Sequence, residues 1–163
     1  MWGYVFHIVT MGVASFSPNF EHFTWISLAA IGAFAALACC GLERHYYWTI
    51  VTIEVIVILG VTFMSQLQCD VFEEAYAENG AFMFIMGNFV MHYAPLLVVL
   101  ALTPCPRVVY TNTAQVWIAF ALFMGWYYYD KPMQVYGCRL SESIDLSGVF
   151  LICVCMNLIA IYY

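Results

Sequence analysis

The sequence predicts an all-α fold, a polytopic membrane helix bundle with six transmembrane helices. Three observations carry this expectation. Hydrophobic residues make up 65% of the 163-residue chain and charged residues 9%, where soluble domains carry roughly 25% charged residues. A soluble fold of this size has too little interior for so much apolar surface, and mean hydropathy is +0.88. Uncharged or nearly uncharged runs, close to the ~20 residues that cross a bilayer, recur six times, separated by turn chemistry.

The first run, Met1–Ser17, has no basic n-region and no clear small-residue cleavage site, so it reads as a retained helix rather than a signal peptide. It closes at Ser17-Pro18-Asn19. The second, Phe23–Leu42, contains "AAIGAFAALACCG", whose small residues allow close helix approach and homo-oligomers, and ends at Gly41 and Glu43-Arg44. The third, Tyr46–Leu67, holds one acid, Glu54. The acidic segment "CDVFEEAYAENG", residues 69–80, reads as a loop. The fourth run, Ala81–Leu102, is loosened at Pro95 and stops at Thr103-Pro104-Cys105-Pro106. The fifth, Val108–Tyr129, stops at Asp130-Lys131-Pro132, and the sixth is Leu146–Tyr163. The first and last runs are short, so they tilt little or sit partly at the interface. The runs are apolar all round, as lipid-facing spans are. Residues 1–163 therefore form a single integral membrane domain, with no internal repeat.

Six spans place both termini on one face together with Glu43, Arg44 and Arg107. The other face holds Glu21, Asp70, Glu73, Glu74, Glu78, Asp130, Lys131, Arg139, Glu142 and Asp145. Lysine and arginine split evenly, which leaves the positive-inside rule nearly silent. The acid excess of the second face points to the termini as cytosolic, in a membrane the sequence does not name. On that orientation Cys39 and Cys40 end the second span on the cytosolic side, where a cysteine pair is a candidate for S-palmitoylation. Cys69 and Cys138 fall in loops of the other face and are a disulfide candidate. Each cysteine also suits plain burial as a small hydrophobe.

Several function classes are excluded. Acids outnumber lysine and arginine ten to four with no basic stripe, so nucleic acid is not a partner. Glycine-rich phosphate loops, HExxH, GxSxG and CxxC are absent, and no cofactor is indicated. His22 and His45 lie at the edges of their spans, so His92 lacks co-ligands at its depth and no metal is expected.

Polar residues inside spans are functional candidates. Glu54 and His7 both lie roughly 10–12 Å from the same face by helix rise. They suit either a proton relay or a hydrogen bond that fixes packing. Asn88 and His92, four apart, share a helix face. His92 suits a general base or a packing role. Thr24, Thr49 and Thr52 complete the set, and Thr24 also fits an ordinary helix cap.

Three stretches resemble the family of the androgen-induced gene product and the androgen-dependent regulator of tissue-factor-pathway inhibitor. These are six-span intramembrane threonine hydrolases of fatty acid esters of hydroxy fatty acids. "EHFTWISL", residues 21–28, resembles the surroundings of the family's nucleophile, and "NFVMH", residues 88–92, keeps its Asn-x-x-Met-His spacing. "WYYYDKPMQVYG" shares Trp126, Met133, Val135 and Tyr136 at the family's offsets, and "CMNLIAIYY" is similar to its last span. The chain is shorter than usual members and has Gly137 where the family has proline. The resemblance implies a lipid ester hydrolase with Thr24 as nucleophile and His92 as base. Beside it, Asn88, Asp70 and Glu74 are the candidates to orient the histidine, and Glu54 and His7 are supporting polar residues of the site.

The chemistry is consistent with those residue types. A threonine hydroxyl needs an adjacent base, and a histidine supplies one near neutral pH. Membrane lipids are the expected ligands. Two other readings stand beside it. One is a non-catalytic accessory subunit of a large membrane protein complex. The other is a small channel or proton-coupled transporter using Glu54, His7 and His92, although polar residues are few for a wet pore.

Overall fold

The computed structural model describes residues 23–66, 70–103, 109–130 and 142–162. The run Met1–Ser17 with His7, and both Cys69 and Cys138, lie outside the described residues. The described residues are helical, with no strand among them. α1 is Phe23–Cys39, followed by a 3-10 turn at Glu43–His45. α2 is Tyr47–Gln66 and α3 is Asp70–Asn88. A π-turn at Phe89–Tyr93 leads into α4, Ala94–Leu102. α5 is Val109–Asp130 and α6 is Glu142–Tyr162.

α2 is the central element. It packs against α1, α4, α5, α6 and the π-turn, while α5 also packs on α6. Its residues Trp48, Val51, Ile53 and Val57 join Phe34 of α1, Val99 of α4, Val116 and Phe123 of α5, and Cys153 of α6 in one buried cluster. Of the uncharged runs, those in the described residues coincide with helices to within a few residues at each end. The segment from Gly80 to Ala101 is long and apolar enough to cross a membrane, with a mean hydropathy of 1.8. Ile26–Cys39, Tyr47–Thr62 and Leu146–Tyr162 are shorter apolar helical stretches.

The acidic segment departs from its sequence reading. It is helical from Asp70, and α3 breaks at Gly80, whose φ of 73° and ψ of 164° lie far from helical values. The reason is local. Glutamates and alanines are good helix formers. Asp70, Glu73 and Glu74 sit in or beside the first turn, where the helix dipole favours acids. Asn79-Gly80 then supplies a residue that adopts positive φ without strain.

The helix ends are tied to one another, and α5 supplies the ties. Tyr46 opens α2, since its carbonyl accepts the Ile50 N–H at 3.0 Å. Tyrosine offers the helix start no local cap. The Trp48 N–H instead donates to Gln115 Oε1 at 2.8 Å, and Gln115 Nε2 donates to the Arg44 carbonyl at 3.3 Å. Thr49 Oγ1 donates to the Gln115 carbonyl at 3.0 Å. One helical turn away, Asn112 Nδ2 donates to the Ala160 carbonyl at 3.3 Å, among the last carbonyls of α6 that lack a helical partner. One pair of amides on α5 thus serves the start of α2 and the end of α6.

Gln115→Leu leaves the buried Trp48 N–H without its acceptor. Its unfolding free energy in mixed micelles is expected to fall by about 1–3 kcal/mol. Tyr129→Leu, at a residue 87% exposed, is expected to stay within about 0.5 kcal/mol of wild type.

Candidate functional site

Two polar clusters lie on either flank of α2. The first joins it to α1. Ser27 Oγ donates to Glu54 Oε1, and both residues are fully buried. Among the described residues Glu54 Oε2 has no hydrogen-bond partner, nor does the buried Thr52 hydroxyl two residues earlier. A carboxyl in apolar surroundings is costly as an anion unless paired, and no salt bridge to Glu54 is present among the described residues. His7, the partner expected from the sequence, lies outside the described residues.

The second cluster is built around His92. Pro95 has no N–H to give the carbonyl one turn back, and its ring crowds that carbonyl. The chain widens into the π-turn just before it, where the Ala94 N–H bonds to the Phe89 carbonyl. His92 Nδ1 lies 3.1 Å from the Asn88 carbonyl. A carbonyl only accepts, so Nδ1 carries the proton, and in the neutral ring Nε2 holds the lone pair. The Asn88 side chain points elsewhere, with Nδ2 donating to the Phe84 carbonyl at 2.9 Å. Asn88 therefore orients His92 through its backbone. Glu74, a further candidate for that role, is exposed.

Thr62 clips this turn to α2. Its Oγ1 donates to the Ile58 carbonyl at 2.7 Å and lies 2.8 Å from Tyr93 Oη. With the threonine proton committed, the tyrosine donates across the helix pair. The Phe89 and Tyr93 rings stack on the same side of the turn, 6.3 Å apart and 8° from parallel.

These two cross-helix bonds set the relative heights of Thr24 and His92. α1 runs antiparallel to α2, so Ser27 opposite Glu54 sets Thr24 level with Val57. α2 has only four residues beyond Thr62, so α4, which packs on α2 after Tyr93, must run back along it. His92 then lies toward the C-terminal end of α2, beyond the level of Val57. Thr24 itself is the second residue of α1. Thr49 faces α5, as its bond to Gln115 shows.

Cys39 and Cys40 are exposed free thiols. Trp126 is buried in the core, while Met133, Val135 and Tyr136 lie outside the described residues. No group of three or more histidine, cysteine or acidic side chains that would hold a metal occurs among the described residues. No protein-family model matches the chain, and no curated protein or solved structure matches it. Ser27, Asn112 and Gln115 were not singled out in the sequence. Their signal was a polar side chain inside an apolar run, weakest for serine, which is common in spans.

Ser27→Ala strands Glu54 Oε1 and is expected to lower stability by about 1–3 kcal/mol. Adding Glu54→Leu removes the stranded group, so the double variant is expected to be more stable than Ser27→Ala alone. Reversible unfolding of all variants in one detergent system measures both effects.

Proposed function

We propose that the chain is a six-span integral membrane protein that works by helix packing, as a non-catalytic accessory subunit of a larger membrane assembly. The carrying observation is the distribution of polarity. Ser27, Glu54, Thr49, Asn112 and Gln115 are buried, while Phe82, Met83, Ile85, Leu97 and Leu151 are 55–74% exposed. Large apolar side chains outside and bonded polar ones inside suit a lipid surround. The bonded interior side chains hold helices together, and the stretch from Gly80 to Ala101, only 11% buried, leaves a long apolar face for lipid or neighbouring subunits.

A second reading keeps a specific support. Lipid ester hydrolysis with Thr24 as nucleophile and His92 as base draws on the resemblance and on the His92 tautomer. That tautomer leaves Nε2 as the basic nitrogen, as a general base requires. The different heights of the two positions along α2 count against a direct hydrogen bond between them.

Purification from native membranes in mild detergent tests both readings. The subunit reading expects an assembly with additional chains, and any lipid ester hydrolysis unchanged in Thr24→Ala and His92→Asn. Loss of hydrolysis by about 100-fold or more in both variants, with assembly intact, would establish the hydrolase instead.

A further inference from the structure

We infer that Cys39 and Cys40 form an S-acylation site that takes a long-chain acyl group from an acyl thioester. The inference rests on the membrane reading and is independent of any hydrolytic activity.

The end of α1 is built so that both thiols stay outside the packed bundle. The Leu42 N–H bonds back to the Leu37 carbonyl at 2.9 Å and the Gly41 N–H to the Ala38 carbonyl at 3.1 Å. Gly41 has φ of 72°. This is the Schellman arrangement, in which a glycine in the left-handed region closes the helix. It fixes Cys39 as the last helical residue and Cys40 as the cap. Both side chains are exposed and unbonded to another cysteine. Glu43, Arg44 and His45 follow at once in the 3-10 turn, so the thiols sit where an apolar helix gives way to charge. That is the depth at which an acyl chain enters the bilayer while its thioester remains reachable from water. The exposed Arg44 places a positive charge beside the phosphates of a coenzyme A donor.

The step is a transthioesterification. The cysteine thiolate attacks the thioester carbonyl, a new carbon–sulfur bond forms, the donor's carbon–sulfur bond breaks, and the donor thiol leaves with the proton lost by the cysteine. No oxidant or reductant is needed. Coenzyme A thioesters are cytosolic, so the site also assigns this end of the bundle to the cytosol.

The structure contains its own control. Cys155 is exposed too, but it lies seven residues before the end of α6, roughly 10 Å into the apolar layer. It has the exposure without the interface.

The test is expression of the full chain in eukaryotic cells, followed by hydroxylamine-dependent exchange of thioesters for a mass tag. Two tags are expected on wild type and on Cys155→Ser, one on Cys39→Ser or Cys40→Ser, and none on Cys39→Ser/Cys40→Ser. All three sites of substitution are exposed and each change is of a single atom, and recovery in the carbonate-washed membrane pellet confirms that each variant inserts. Absence of hydroxylamine-sensitive tagging on inserted wild type would overturn the proposal. So would tagging that survives unchanged in the double variant. A chain absent from the washed pellet would overturn the membrane reading and the acylation site with it.

Discussion

Among the described residues, a few buried polar side chains bond from one helix to the next, and the arrangement of the helices follows from those bonds. α2 carries the buried Glu54, Thr49 and Thr52. It starts without a local cap and is surrounded by apolar helices. Its neighbours are placed where they complete it. α1 brings Ser27 to Glu54, α5 brings Gln115 to the Trp48 N–H, and the π-turn brings Tyr93 to Thr62. Hydrophobic burial alone is non-directional. On the proposed membrane reading it does not separate one helix–helix contact from another, and these few bonds then set register and neighbour choice.

The same bonds bear on function. The heights they impose set Thr24 and His92 at different levels along α2, whereas the sequence resemblance joins them. His92 is nonetheless held in a defined tautomer by the Asn88 backbone carbonyl at the start of the π-turn. A distortion of that kind has a specific cause in Pro95, and π-turns recur at functional positions. Its direct consequence here is to present Tyr93 to Thr62.

Helices were legible wherever hydrophobicity ran unbroken. The end of α1 and both ends of α5 fall close to the sequence boundaries, because Gly41, Pro104, Pro106 and Pro132 are strong punctuation. The acidic segment is not legible as a helix from hydrophobicity, because its charges interrupt the apolar pattern while the helix propensity of "FEEAYAE" carries no apolar signal, although Asn79-Gly80 marks the break. Glu54 stood out as a lone acid in a span, and Asn88 with His92 as a polar pair. Their partners did not. Ser27, Gln115 and Tyr93 are distant in sequence from the groups they bond. Nothing local in a uniformly apolar helix tells which face meets which neighbour. The choice of Asn88 backbone over Asn88 side chain for His92 also depends on the π-turn, which sequence spacing at ideal helical pitch does not anticipate.

The central claim is that the apolar outer surface of the bundle faces lipid or a partner's membrane helices rather than water. Spin labels at Phe82, Leu97 and Leu151, all exposed, in bilayer-reconstituted protein read this directly through collision with oxygen and with a water-soluble nickel chelate. The account predicts oxygen access well above nickel access at all three positions. Nickel access at those positions matching that of a label in bulk water would contradict it.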